Sequence, residues 1–493
     1  MFVNRTLCFA IIFLSGAVIL CPVISAARQT TVIGSLGLSY DFWDRSYDDG
    51  DENLIVDQNE GDRSEWAAWP EIELRSEGIH DLLSLRYTPV LKYDNLNEST
   101  DVDHYLALAG ERSLSRNWTV SMSDDFVMSD DPYRYETIFY SPARIETPAE
   151  EEVQPARDLE APVNELTRNL GRRSYWTNNF ALQTEYTYAQ DSDIGVGYGY
   201  GVLRNRSDDE VVTVEYDEYD RHEFSGLWSH RINPQWRTNL NAGYIEGLYD
   251  DREDPDVPQN LSQDLQEYRA DFQVAFDRSS TDSFPLRYGF RGIEYEDLRQ
   301  DIWAHQFTAG WDHAFDSRNR LKVGAGPSYI NAEDLDGEWG YSAYMIFNRA
   351  YQHADFNARV NKRYEPQNFT GSEDTGLTDI VDAGLDLTYQ FTKNLNTTVF
   401  ALYRYEDILD PRGAYFLSAL GQGDPQSEQE VSDITYSRDS YSTGASLNYT
   451  FWRWFVATAR YVYYQQDGDL LQDSYTDHRI MFLISASKTL LRN

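Results

Sequence analysis

Residues 377–391 read LTDIVDAGLDLTYQF, and their alternation decides the fold. Leu377, Val381, Ala383, Leu385, Leu387, Tyr389 and Phe391 fall on one face of an extended chain. Thr378, Asp382, Gly384, Asp386, Thr388 and Gln390 fall on the other. Successive side chains of a strand point to opposite faces, so this segment is a strand with one apolar and one polar side. Asp379 and Ile380 break the alternation, which places the end of a loop there.

The same rhythm recurs along the chain. Ile194, Val196, Tyr198, Tyr200 and Val202 alternate with four glycines, and Tyr268, Ala270, Phe272, Val274 and Phe276 alternate with Arg269, Asp271, Gln273, Ala275 and Asp277. Trp303, Phe307, Ala309, Trp311 and Phe315 share a third such face. Read throughout, the pattern gives strands near 31–43, 65–76, 79–93, 102–112, 117–129, 174–189, 193–204, 219–231, 235–248, 264–277, 284–296, 301–315, 320–331, 338–350, 353–364, 377–391, 396–406, 436–450, 454–466 and 476–489. That is twenty, with eighteen as the alternative count. The composition, with 36 Tyr, 23 Phe and 12 Trp but a mean hydropathy of −0.60, suits a membrane barrel, in which only every second residue meets lipid. We therefore expect an all-β, antiparallel up-and-down transmembrane β-barrel.

The links between strands alternate in length. Short ones lie at Arg112–Asn117, Ile232–Gln235, Arg278–Ser283, Asp316–Asn319, Ala350–His353, Thr392–Asn394 and Phe451–Arg453. Between them come longer, mostly acidic links at Asp44–Ser64, Ser129–Arg173, Asn205–Glu218, Tyr249–Gln263, Glu365–Gly376 and Asp407–Thr435, with one short exception at Asp297–Gln300. Outer-membrane barrels segregate short periplasmic turns from long external loops in this way, whereas a soluble sandwich or propeller has no reason to. Both barrel termini are then periplasmic.

The start of the chain points to the same compartment. Arg5, the uncharged apolar run Leu7–Leu20 and the small residues Ser25, Ala26 and Ala27 form a cleavable secretory signal over 1–27, leaving 28–493 as the barrel. The run is shorter than the roughly 20 residues a membrane-spanning helix needs. Leu20 before Cys21 disfavours lipidation. Cys8 and Cys21 both lie in this segment, so disulfides and thiolate chemistry are not expected in the mature chain. The formal net charge of −40 excludes nucleic acid as a partner, because such a surface repels phosphates.

Period-two parity assigns eleven charged residues to the lumen: Arg86, Lys92, Glu185, Arg237, Asp271, Arg359, Arg363, Asp382, Asp386, Arg404 and Arg460. They suit lumen solvation and cross-strand pairing or, on a sharper reading, a polar track along which an oligosaccharide slides. Trp43, Trp66, Trp69, Trp118, Trp176, Trp236, Trp339, Trp452 and Trp454, near strand ends, are expected in interfacial girdles. Catalytic motifs are missing: the eight histidines show no HExxH spacing, and there is no Gly-x-Ser-x-Gly elbow or phosphate-binding glycine loop. His305 and His313 share a strand face, but about 26 Å of strand separates them. The acidic runs 48–52 and 250–254 offer oxygen ligands without an EF-hand spacing, which favours a solvated surface. We expect no enzyme, no cofactor and no resident metal.

The segment from Ser84 to Pro132 carries Tyr87-Thr88-Pro89, Tyr93-Asp94, Asp103-His104, Leu114-Ser115, Asn117-Trp118 and Asp124-Asp125-Phe126. In this it resembles the large β-barrel porin families often encoded beside exopolysaccharide synthesis and export genes. The resemblance implies an outer-membrane channel passing a secreted polysaccharide, with lipid, lipopolysaccharide, polysaccharide and export machinery as partners. It brings no catalytic motif. One departure is the end, Leu490-Leu491-Arg492-Asn493, which lacks a terminal aromatic residue, so Phe482 or Ile484 becomes the expected assembly signal. A general diffusion porin, or a structural barrel whose loops bind surface partners, remains the alternative.

Overall fold

The computed structural model describes residues 28–47, 61–96, 98–129, 174–205, 218–249, 264–296, 301–332, 337–366, 368–369, 376–409, 435–452, 454–468 and 474–493. The expected signal, the acidic runs 48–52 and 250–254 and most of the long links lie outside these residues. In chain order the strands are β1 Gln29–Tyr47, β2 Gly61–Glu77, β3 Asp81–Asp94, β4 Ser99–Ser115, β5 Trp118–Ser129, β6 Tyr175–Ala189 and β7 Ser192–Asn205. They continue as β8 Tyr219–Asn233, β9 Trp236–Tyr249, β10 Leu265–Asp277, β11 Asp282–Tyr295, β12 Ile302–Ala314, β13 Asn319–Ala332 and β14 Glu338–Ala350. The last six are β15 Ala354–Pro366, β16 Leu377–Thr392, β17 Leu395–Leu409, β18 Thr435–Phe451, β19 Phe455–Gly468 and β20 Tyr475–Arg492.

Each strand pairs antiparallel with its neighbours in sequence, and β1 pairs with β20 from Thr31↔Arg492 to Tyr47↔Tyr475. Thr30 N donates to Asn493 O at 3.1 Å and Asn493 N to Thr30 O at 3.0 Å, which completes the seam. The sheet is thus a closed barrel of twenty strands, not eighteen, with its first and last strands ending at the short-turn rim. Several strands run a few residues beyond the ends expected from hydropathy; β2, for instance, begins at Gly61. Side-chain polarity marks where lipid ends, but backbone pairing continues past it.

The short turns are closed locally by side chains. Asp316 Oδ1 accepts from the backbone N–H of Arg318 (2.7 Å) and Asn319 (2.9 Å), and Asn233 Oδ1 from Gln235 (2.9 Å) and Trp236 (3.0 Å). Short polar side chains that mimic a backbone turn are what make these residues turn formers. Prolines leave small gaps in the ladder. Between β2 and β3 the register skips the stretch where Pro70 and Pro89 would face each other, neither having an N–H to donate.

The apolar face is the outer one. Leu385 is 51% exposed, and Leu36, Leu38, Val196, Phe272, Leu286, Phe307, Phe482 and Ile484 are likewise exposed. Polar groups on this surface satisfy one another, as an environment without water requires. Four tyrosines hydrogen-bond across a diagonal to a histidine Nδ1 on the adjacent strand: Tyr87 to His104, Tyr198 to His222 and Tyr288 to His305, each at 2.9 Å, and Tyr461 to His478 at 3.0 Å. The last three histidines each stand three residues past the start of a descending strand, so these pairs recur near the long-link rim. His305 and His313 bond separate partners, Tyr288 and Asp282.

Two of the expected girdle tryptophans are not on the outside. Trp69 is buried within the barrel against Gly37, and Trp43 shares the inner face with Asp41 and Arg45, its ring under the Arg45 guanidinium at 4.7 Å. The reason is parity: Trp66 and Trp69 are three residues apart and must face opposite ways. Trp66, Trp236, Trp339 and Trp452 are exposed.

The facing has a direct test. Leu385→Arg should destabilise the folded barrel by about 2–4 kcal/mol near the bilayer midplane, whereas Asp386→Asn should fall well below that. Urea unfolding in lipid vesicles measures both; a larger loss for Asp386→Asn than for Leu385→Arg would mean that the faces are assigned the wrong way round.

Candidate functional site

The inner face carries the polar half of every strand, and cross-strand neighbours about 4.8 Å apart bring its charges together. Across β15 to β18 they form a transverse ladder. Arg363 binds Glu365 (2.8 Å) and Asp382, Arg404 binds Asp382 (2.8 Å) and Glu406 (3.3 Å), and Arg438 binds Glu406 (2.7 Å). Further round, Arg45 pairs with Asp477 (2.7 Å), Arg479 with Asp41, Lys92 with Asp103 (2.6 Å) and Arg86 with Glu73 (3.9 Å).

All eleven charged residues singled out from the sequence stand on this inner face. Besides those in the ladder, Asp271 binds Arg291 (3.0 Å) and Arg237 faces Asp277 (3.4 Å). Asp386 accepts from Asn357 (2.7 Å), and Arg460 lies over the Phe400 ring (5.9 Å). Arg359 rests against Gly384, and Glu185 is opposite Gly195. They are spread around the circumference and form no single site. Among the described residues no group of three or more His, Cys, Asp or Glu is placed to hold a metal ion.

What narrows the lumen was not legible in the sequence. The pairing of β14 with β15 stops at Ala343↔Lys362, although β14 continues to Glu338 and β15 to Pro366. The pairing of β15 with β16 persists to Pro366↔Leu377. The upper β15–β16 hairpin therefore leaves the wall as a unit and leans into the barrel. Gln306 on β12 donates to the Tyr364 carbonyl at 3.1 Å, and the Tyr364 hydroxyl lies beside Ser328 and Gly340.

Beyond Pro366 the chain reaches across the lumen to the wall at β8 to β10. Asn368 Nδ2 donates to Glu267 on β10 at 2.7 Å, the Tyr249 hydroxyl donates to the Asn368 carbonyl, and the Tyr219 hydroxyl to the Phe369 carbonyl at 3.1 Å. The Phe369 ring meets Tyr219 edge-on (5.2 Å) and stacks on Tyr249 (6.0 Å), with the Arg221 guanidinium 5.2 Å away. Gly247 leaves room for it: a Cβ there would stand 2.6 Å from the ring. Glu267 is fully buried and is held by Arg269 at 2.6 Å; Arg269 in turn feels Glu223 and Glu365, which links the hairpin electrostatically to β8 and β10.

This geometry corrects two expectations. Glu365–Gly376 is not simply an external link, since Glu365, Pro366, Asn368 and Phe369 belong to the inward tip. Nor does a loop end at Asp379 and Ile380. Both are within β16: Ile380 is 1% exposed because it packs inside the constricted lumen, while Asp379 pairs with Lys362 on the other face. Gln367, Asn368 and Phe369 carry no sequence signal that separates them from an ordinary loop.

A closed barrel with an apolar outer face around a charged and partly obstructed lumen is the fold of outer-membrane β-barrels. The chain is similar to a mutant of the ferric enterobactin receptor PfeA of Pseudomonas aeruginosa in complex with enterobactin, at 8% identity over 93% of this chain and 81% of that one, with a TM-score of 0.50. It is also similar to OpdL of Pseudomonas aeruginosa (10% identity, 94% and 99% covered, TM-score 0.38) and OccAB3 of Acinetobacter baumannii (12%, 93% and 99%, 0.39). No family model matches the sequence, and no curated protein does. At these identities the likeness is one of fold.

Two variants probe the site. Asp382→Asn removes the carboxylate shared by Arg363 and Arg404 and should cost about 1.5–3 kcal/mol, the scale of hydrogen bonds to charged groups; urea unfolding reads it. Phe369→Ala should weaken docking of the tip by about 3–5 kcal/mol. The expected outcome is a higher single-channel conductance with the barrel still resistant to detergent at room temperature; unchanged conductance would show that the tip does not obstruct the path.

Proposed function

We propose that this chain forms a hydrated outer-membrane channel for a polar solute, and that the solute is a secreted polysaccharide leaving the cell. The observation that carries the reading is the lumen itself: most of its charges are arranged in neutralising pairs and interspersed with tyrosine hydroxyls around a constriction. Such a surface offers many weak hydrogen bonds and no single deep trap, which suits a chain that must keep sliding. The resemblance of the Ser84–Pro132 segment to barrels of exopolysaccharide systems points the same way. External lipopolysaccharide and an export machine would be the partners. The chemistry would be passage, with no reaction catalysed.

A second reading, a general diffusion porin, is favoured by the inward β15–β16 tip, because a narrowed eyelet selects small solutes by size. A deletion strain separates the two. Loss of surface polysaccharide with unchanged small-solute permeability is expected for export; intact polysaccharide with slower uptake of small sugars would leave the porin. A planar bilayer that shows no conductance with purified protein would leave only a structural barrel.

A further inference from the structure

In a chain with 82 acidic against 42 basic residues, the cations that have no acidic partner are informative. Several gather on one patch of the inner wall, toward the short-turn rim of β9 to β14. Among the described residues, Arg287, Arg320 and Lys322 have no carboxylate within 4 Å, and Lys322 feels the like charges of Arg320, Arg287 and Arg237 against the single carboxylate of Asp312, its cross-strand neighbour. Like charges in excess of their counter-charges repel, and most cations elsewhere in this lumen are neutralised by pairing. Here an anion from outside the chain would do so.

Side chains around the patch hold it ready. The Tyr344 ring lies flat across Gly324 and Gly310, where any Cβ would collide with it, and the Arg287 guanidinium stacks on its face at 4.7 Å. Arg287 Nε donates to Gln273 at 2.9 Å, which fixes the plane of the guanidinium and leaves its outer N–H edge free. Register places Asp312 between Ser283 and Lys322 on the same face. Asp312 is only 8% exposed, yet its Oδ1 has no hydrogen-bond partner, and the buried Tyr344 hydroxyl has none either. A buried acceptor left unmade is costly, so these two atoms mark positions for hydroxyl groups of a ligand.

We propose that this patch is a binding site for a sugar acid: the carboxylate of a uronate residue takes the Arg287 and Lys322 charges, and its ring hydroxyls complete Asp312 Oδ1 and the Tyr344 hydroxyl. A ligand that is only anionic would leave Asp312 unsatisfied and repelled, and a neutral sugar would leave the cations unpaired. The site rests on the channel reading and narrows it to an acidic saccharide.

Isothermal titration of the full, folded barrel in detergent tests it. Trigalacturonate should bind, with maltotriose and inorganic phosphate each at least about tenfold weaker, the scale of one lost charge-assisted hydrogen bond. Arg287→Gln and Lys322→Gln should each weaken trigalacturonate by a similar factor while keeping the heat-modifiable mobility of a folded barrel. Trigalacturonate binding no tighter than maltotriose, or undiminished in both variants, would overturn the site; phosphate binding as tightly would overturn the sugar-acid assignment. The binding result is independent of the deletion strain, so a failure of polysaccharide export and a failure of this site are told apart.

Discussion

Everything in this molecule depends on one seam, the pairing of β1 with β20. In hydrocarbon no water is available to a backbone N–H or C=O, and each unsatisfied group costs several kcal/mol. An open sheet of nineteen or twenty strands would carry two such edges across the membrane. Closure removes both, and the reciprocal hydrogen bonds of Thr30 and Asn493 carry the pairing to the end of the chain. From closure follow the even strand count, the shared rim of the two termini and the separation of an outer face from an inner one.

Among the described residues the constraint is relaxed most at upper β14, and the relaxation narrows the lumen. Upper β14 has no partner on its β15 side, because β15 and β16 turn inward together. The tip is tolerable there because its polar groups find partners: Gln306, Tyr249 and Tyr219 donate to the carbonyls of Tyr364, Asn368 and Phe369, and Glu267 accepts from the Asn368 side-chain amide. Burial of Phe369, Leu377 and Ile380 adds apolar area against that wall. A lumen that strand number alone would leave wide is thereby narrowed from within.

The charge distribution follows the same division of solvents. Charges on the inner face meet water and one another, so ion pairs such as Arg45–Asp477 and Arg438–Glu406 hold strand to strand without being stranded in lipid. On the outer face, polar side chains persist chiefly where a neighbour satisfies them, as in the Tyr–His diagonals. The net negative charge of the chain therefore says little about the local potential inside, where the wall around Lys322 is basic.

The sequence by itself determined the class of fold, because a strand's period of two records which residues meet lipid and which do not. Leu385 against Asp386, and Phe272 against Asp271, could be sorted by reading alternate letters. Turn positions such as Asp316 and Asn233 were equally legible, since their hydrogen bonds reach only two or three residues along the chain. What the tertiary structure decided depends on distance across the barrel. Asn368 meets Glu267 from a hundred residues away, and Tyr344 meets Arg287 across two intervening strands. Trp69 faces inward although its neighbourhood suggested a girdle. No local period encodes such contacts, because they arise only when the sheet has closed and curved enough to bring separate stretches of wall within reach of a side chain.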